Sequence, residues 1–228
     1  MAGQGENAPG GGDNLGCQCD VLFWSALGVL FAAALVVTIM ATRFPTFPGD
    51  FALLVAIQSL RTPQLDIVMY AVTYVGFEPQ TLLLTGAAAI VLWVIGLRRA
   101  AVFTLLTVLG GVLGILIKAF VARPRPPDEL LHAVSSRLDF GYPSGHALFA
   151  VLFYGFLAFI AWTSLRNRLW RLVVVLVLVI LALATGISRV YLGSHWPSDV
   201  LGGYLIGSVL LLALIKLYQA GSWPDQED

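Results

Sequence analysis

Long apolar runs separated by short polar breaks dominate this chain. Val21 to Thr42 is almost wholly apolar, Arg43 ends it, and Pro45 and Pro48 break the chain beyond. A bilayer crossing takes about 20 such residues, so this run predicts a first span. Five more runs follow, at Pro79 to Leu97, Ala100 to Ala122, Gly145 to Ser164, Leu169 to Ile187 and Pro197 to Tyr218. The pattern predicts an all-α integral membrane protein with six transmembrane helices in one bundle. Arg98-Arg99 sits directly between the second and third runs, which makes these an antiparallel hairpin with a tight basic turn. Residues 49–76 are mixed, with Asp50 and Asp66 among apolar neighbours. Two short helices, Asp50 to Ile57 and Leu65 to Phe77, are expected there, at the membrane surface or packed on the bundle. The expected organisation is a disordered tail over 1–20, a six-span domain over 21–218 and a short tail over 219–228.

Composition supports the membrane assignment. The chain is 58% hydrophobic and 11% charged, against roughly 25% charged for an average soluble domain. Thirteen Lys and Arg balance thirteen Asp and Glu. A neutral balance lacks the basic stripe that a nucleic-acid partner requires. The leader is not a signal peptide, having neither a basic start nor an apolar core. Cys17 and Cys19 are separated by one residue, poor spacing for zinc and strained for a disulfide, so they read as ordinary thiols. Leu15-Gly16-Cys17 lacks the preceding apolar segment of a lipoprotein cleavage site. Gly110, Gly111 and Gly114, with Gly202, Gly203 and Gly207, read as close helix-packing contacts.

Charge placement bears on orientation. With both termini on one side, that side carries Arg98, Arg99, Arg166, Arg168, Arg171 and Lys216. The other carries Arg43, Arg61, Lys118, Arg123, Arg125, Arg137 and Arg189. If Lys118, Arg125 and Arg189 are set aside for chemistry, the first side is the more basic. The positive-inside tendency then puts both termini in the cytoplasm and the motif-bearing loops outside.

Three segments on that outer face carry chemistry. They are Lys118 to Pro126, Tyr142 to His146, and Ser188 to Asp199. The last holds an Arg, a His and an Asp between two spans, where charge is costly unless partnered or functional. His195 and Asp199 are four apart and share a face of one helical turn. A carboxylate on one imidazole nitrogen fixes the tautomer and leaves the other nitrogen to attack. Lys118, Arg125 and Arg189 are three cations suited to phosphate oxygens. Ser144 and Gly145 open the fourth span, where backbone N–H groups form an anion site. His146 follows them, whereas His132 has no such company and reads as an ordinary loop residue. The set implies two-step phosphoryl transfer. Neutral His195, oriented by Asp199, attacks phosphorus to give a phosphohistidine. His146 protonates the leaving oxygen and then activates water. The cations and the Ser144 and Gly145 amides stabilise the developing charge. No metal or other cofactor is called for, because the cations are built in.

These three segments resemble the signature motifs of the type 2 phosphatidic acid phosphatase family: Lys118 with Arg125-Pro126, Pro143-Ser144-Gly145-His146, and Ser188-Arg189 with His195 and Asp199. The six-span layout resembles the membrane-bound, bacterial-like branch of that family, over about residues 21–218. The resemblance implies a metal-independent lipid phosphatase. It implies His195 as nucleophile, His146 as acid and base, Asp199 as orienter, and Lys118, Arg125, Ser144, Gly145 and Arg189 as the phosphate site. Arg123-Pro124 offers a second Arg-Pro that misses the family spacing, and Arg123 is expected to face solvent rather than widen the pocket.

A site at the bilayer edge suits a lipid whose tail stays in the membrane. The candidate substrates are phosphatidic acid, phosphatidylglycerol phosphate and undecaprenyl pyrophosphate, and a bacterial cell membrane is the expected setting. A lipid phosphotransferase using the same phosphohistidine is the alternative. An anion transporter is disfavoured because the charges gather at one end, not near the midplane where carriers keep their sites.

Overall fold

The computed structural model describes residues 11–127, 129 and 140–221. His132 and Arg137 lie outside the described residues, as do the side chains of Cys17 and Cys19. The described residues form α1 (Gly11–Arg43), α2 (Asp50–Gln58), α3 (Pro63–Tyr74), α4 (Gln80–Val94), α5 (Arg98–Leu106), α6 (Val108–Val121), α7 (Gly145–Ser164), α8 (Arg168–Tyr191) and α9 (Pro197–Ala220).

Five stretches are long and apolar enough to cross a membrane: Asp20–Arg43, Arg98–Val121, Gly145–Ser164, Arg168–Tyr191 and Pro197–Ala220. The second expected span is shorter than foreseen. α4 ends at Val94, and Gly96, with φ of 88°, turns the chain into α5. A left-handed residue of this kind ends a helix at little cost only when it is glycine. Arg98 and Arg99 therefore open α5 rather than lie in a turn. The third span is two consecutive helices, α5 and α6, interrupted at Thr107. The Thr107 hydroxyl donates to the Thr104 carbonyl at 2.6 Å, and side-chain bonding of this sort bends helices. α1 is longer than expected. Residues 11–20, assigned to the tail, form its opening turns. Extending a helix beyond a long apolar segment adds one bond per residue with no new nucleation step.

The bundle is built around α7. It is the most buried span, and it packs on α8, α9 and α6. α1 lies against α9 at the periphery, with most side chains of Asp20–Arg43 turned outward. α2 and α3 pack on α8, as expected of two short helices seated on the bundle. α9 comes close to α7 because small residues line the contact. A Cβ on Gly203 would lie 2.6 Å from the Ser144 carbonyl oxygen, and one on Gly207 would lie 2.9 Å from that of Leu148. These two glycines are packing contacts, as read from the sequence, and Gly110 meets Leu152 in the same way. Gly111 has open space beside it instead.

The two ends of the bundle differ. At one end Arg99 donates to the Gly221 carbonyl, and Lys216 pairs with Asp20 at 2.7 Å. Asp20, the α4–α5 turn and the end of α9 therefore share an end. α9 has 24 residues, which at 1.5 Å per residue carries its first turn roughly 36 Å away. The motif residues gather at that far end.

Candidate active site

Local rules place the central pair. α8 runs to Tyr191, so Ser188 and Arg189 belong to its last turn, beyond the expected end at Ile187. Gly193, with φ of 71°, then reverses the chain. The Ser194 and His195 N–H groups donate to the Arg189 carbonyl at 2.9 and 3.3 Å. Pro197 starts α9 at its first position, where a missing N–H costs nothing. Asp199 reaches back to accept the Trp196 N–H at 3.0 Å, half of a capping box. His195 is thus fixed in a five-residue turn between two spans.

The turn presents His195 with its two nitrogens in different company. Nδ1 lies 3.5 Å from Asp199 Oδ2. Nε2 lies 3.2 Å from Arg125 Nη1. A guanidinium has only donors, so Nε2 is the acceptor and the proton sits on Nδ1, toward Asp199. His195 is 1% exposed. Burial, and then the charges of Arg125, Lys118, Arg189 and His146, hold its pKa well below the ordinary 6.5. The imidazole is neutral at pH 7, and the nitrogen with a free lone pair faces Arg125.

The other expected residues surround it. Arg125 Nη1 also donates to the Ser194 carbonyl at 2.5 Å. Lys118 donates to the Phe140 carbonyl at 2.7 Å. Arg189 is buried, donates to Thr73 Oγ1 at 2.6 Å, and lies over the Phe77 ring at 5.3 Å. Phe77 also meets His146 edge-on at 4.7 Å, so one ring steadies two site residues. Close packing enforces this: a Cβ on Gly76 would lie 2.2 Å from the His146 ring.

One atom differs from expectation. The Ser144 N–H donates to the Asp199 carbonyl at 3.0 Å, so that amide ties two motifs together and does not serve an anion. The Ser144 hydroxyl is buried with no hydrogen-bond partner among the described residues. It and the Gly145 amide remain the groups at this position. A Cβ on Gly145 would meet nothing within 4 Å, so the backbone is open there. Tyr142 anchors the motif from behind. Its hydroxyl bonds Thr38 Oγ1 at 2.8 Å, and burial raises its pKa to about 12, so it stays protonated.

Arg123 is the largest correction. Expected in solvent, it is 1% exposed. Its Nη1 donates to Asp199 Oδ1 at 2.5 Å and its Nη2 to Asp50 Oδ2 at 3.0 Å. A charged group loses more by burial than any other, and only a partner of opposite charge offsets it. Asp50 and Asp199 are those partners. Asp50 itself carried the available signal, being a carboxylate in an apolar stretch that had no assigned partner.

A cavity of about 380 Å³ opens beside His146 and Gly145. Its walls come from Phe77, Leu82, Ile115 and Phe149, with Glu78 at one side. Leu82 and Ile115 are also exposed on the flank of the bundle, so the opening lies among apolar side chains. Among the described residues no three His, Cys, Asp or Glu side chains cluster as metal ligands.

Three comparisons bear on this arrangement. The family model described as the PAP2 superfamily matches residues 99–223. Phosphatidylglycerophosphatase B of Bacillus subtilis is 31% identical over 184 residues, covering 74% of this chain and 82% of that protein. An undecaprenyl-diphosphatase of Sulfolobus acidocaldarius is 33% identical over 115 residues, covering 48% of this chain and 50% of that one. Among solved structures, a transmembrane PAP2-type phosphatidylglycerolphosphate phosphatase from Bacillus subtilis superposes with a TM-score of 0.71. It has 24% identity and covers 86% of this chain and 97% of its own, a likeness of fold.

Proposed function

Since this chain belongs to the PAP2 superfamily, we propose that it is a membrane lipid phosphate phosphatase working through a phosphohistidine on His195. The observation that carries the reading is the two-sided setting of that imidazole. Asp199 faces Nδ1 and a phosphate-binding type of cation faces Nε2. An incoming phosphate that takes the Arg125 donor leaves the Nε2 lone pair aimed at phosphorus. The bond from Nε2 to phosphorus forms as the bond to the leaving oxygen breaks. His146 gives that oxygen a proton. It then takes one from water, which attacks phosphorus, breaks the P–N bond and regenerates His195. Lys118, Arg125, Arg189, the Gly145 amide and the Ser144 hydroxyl hold the equatorial oxygens. These cations do the charge stabilisation that a metal would otherwise supply, and both buried carboxylates of the site region are already bound to Arg123.

A lipid suits the cavity beside His146, whose walls continue onto the apolar flank of the bundle. Phosphatidylglycerol phosphate is the first candidate substrate, because the relative matched over the greater length is named for it. Undecaprenyl pyrophosphate and phosphatidic acid follow. α4 completes six crossings, with α2 and α3 seated at the outer surface, and the catalytic domain spans about residues 21–218. The six cations at the end shared by Asp20 and Gly221 favour both termini in the cytoplasm and an active site facing outward, in a bacterial cell membrane.

The test is phosphate release by the purified protein in detergent with EDTA present. Phosphatidylglycerol phosphate, undecaprenyl pyrophosphate and phosphatidic acid are compared, with His195→Ala alongside. Release that persists in EDTA and vanishes in the variant is expected. Activity that EDTA removes and Mg²⁺ restores would refute the metal-free mechanism. Phosphate passed to an added alcohol lipid instead of water would make the enzyme a phosphotransferase.

A further inference from the structure

We propose that Arg123 and Asp50 form a buried brace that sets the direction of the Asp199 carboxylate. Arg123 is then a positioning residue of the reaction, not part of the phosphate site. The inference rests on the phosphatase reading above. Every nitrogen of the Arg123 head is engaged behind Asp199. Nε donates to the Phe44 and Pro45 carbonyls at 3.2 and 3.1 Å. Nη1 donates to Ser198 Oγ at 2.8 Å and to Asp199 Oδ1 at 2.5 Å, and Nη2 donates to Asp50 Oδ2 at 3.0 Å. The ring of Phe47 lies 4.5 Å from the guanidinium carbon. Arg125, two residues on, takes the opposite role at His195 Nε2.

Asp50 completes the brace from another helix. Its Oδ1 accepts the Ser198 N–H at 2.9 Å, and its Oδ2 accepts the Ser198 hydroxyl at 2.6 Å and the Phe47 N–H at 2.8 Å. The first residue of α2 therefore clamps the first turn of α9, beside the orienting aspartate. Asp50, Arg123, Ser198 and Asp199 are all buried.

The geometry explains why a guanidinium is used. Asp199 Oδ2 accepts the Trp196 N–H at 3.0 Å and faces His195 Nδ1 at 3.5 Å, beyond a formed hydrogen bond. Nothing in that pair alone stops the carboxylate from rotating. Arg123 pins Oδ1, and with Oδ1 pinned Oδ2 must face His195. The planar fork holds two carboxylates and a hydroxyl in fixed directions at once, which an ammonium group cannot do. It also places one positive charge between two buried carboxylates, which offsets part of the cost of burying them.

The experiment uses the full chain in detergent with Arg123→Gln, Arg123→Lys, Asp50→Asn, Asp199→Asn and the Arg123→Gln/Asp199→Asn double variant. Readouts are kcat, KM and the inhibition constant of inorganic phosphate. Loss of a group that orients a reacting side chain lowers activity by about 10- to 100-fold. Arg123→Gln is expected to lose kcat in that range, with Arg123→Lys restoring only part. The phosphate inhibition constant should stay within about twofold of wild type, since a group that binds no phosphate removes no ground-state affinity. The double variant should be no slower than Asp199→Asn alone, because the two residues act as a unit. Additive losses would overturn the brace, and so would a weakened phosphate inhibition constant. Should Arg123→Gln not fold, Asp50→Asn keeps the guanidinium and removes one anchor. It is expected to lose kcat about tenfold, at the low end of such effects. A folded Asp50→Asn protein with wild-type kcat would overturn the proposal. Wild type inactive on every lipid would instead refute the phosphatase reading, and the brace with it.

Discussion

The two ends of this bundle carry the same residue types in opposite circumstances. At the end shared by Asp20 and Gly221 the cations are exposed or half-buried, and Arg98, Arg99, Arg171 and Lys216 lie over aromatic rings. Arg98 sits 5.7 Å from Trp93, Arg171 4.9 Å from Trp162, and Lys216 5.1 Å from Phe23. Basic and aromatic side chains of this kind belong to the boundary between lipid headgroups and water. At the other end Arg123 and Arg189 also lie over rings, but they are buried, and their polar partners are carboxylates, hydroxyls or carbonyls. Solvent relieves the first set, so its members work singly and weakly. Only protein relieves the second, so its members depend on one another. A side chain's weight in function therefore follows from what replaces its water rather than from its charge.

Breaking the buried end should have the largest effects, and the nucleophile the largest of all. His195→Ala should lower kcat by about 10⁴-fold or more, as removal of a covalent nucleophile does elsewhere. Single-turnover phosphate release is the measurement, and retention of a tenth of wild-type activity would refute the assignment. His146→Ala removes the acid and base and should cost about 10²- to 10⁴-fold. That loss should be smaller for a substrate whose leaving group needs no proton, such as an aryl phosphate with a low-pKa phenol. Equal loss on both substrates would count against His146 as the acid.

Arg125→Gln probes the buried end through pH. It should lose about 10²- to 10³-fold at the optimum, the usual range for one charge-stabilising donor. Its second effect carries a sign. Burial first, and then the Arg125 charge, hold His195 below 6.5. The neutral nucleophile therefore persists at pH 7 and below, and its contribution fades only as pH falls through the lowered pKa. Removing the Arg125 charge raises that pKa. The acid limb of kcat/KM should move toward neutral pH relative to wild type. An unmoved limb would mean that Arg125 does not act on the nucleophile.

Much of this site was legible because its residues sit close together in the chain. His195 and Asp199 share a turn, Ser144 to His146 open a span, and the apolar runs placed all three motifs on one face. What the sequence hid were relations between distant segments. Arg123 looked spare because one Arg-Pro already met the family spacing. Its partners Asp50 and Asp199 lie 73 and 76 residues away. The Ser144 amide looked available because helix N-termini normally leave such groups unpaired, yet it closes on the Asp199 carbonyl. Helix lengths were blurred for another reason. Hydropathy marks where a chain is apolar, but the glycine turn at Gly96 and the interruption at Thr107 decide where helices stop. The start of α1 at Gly11 follows from propagation, which composition does not register.

The smallest expected effect comes from the exposed end, and it tests the comparison most directly. Arg99 donates to the Gly221 carbonyl and, at 3.4 Å, to that of Leu217, and its guanidinium lies 4.9 Å from the Tyr218 ring. These contacts cover the last carbonyls of α9, where a cation also complements the helix dipole. Arg99→Gln keeps a donor for those carbonyls but loses the charge and the ring contact, a loss of about 0.5–1 kcal/mol. A small drop in melting temperature in detergent should follow. Activity should stay within about twofold of wild type. Arg99 touches α9 at its last turn, and the first turn, with Asp199, is roughly 36 Å away along an unbroken helix. The brace from Asp50 and Arg123 fixes that first turn independently. A tenfold loss of kcat in folded Arg99→Gln would show that strain at the far end reaches His195 along α9. The two ends would then be coupled, and burial would no longer separate the cations of that end from those of the proposed site.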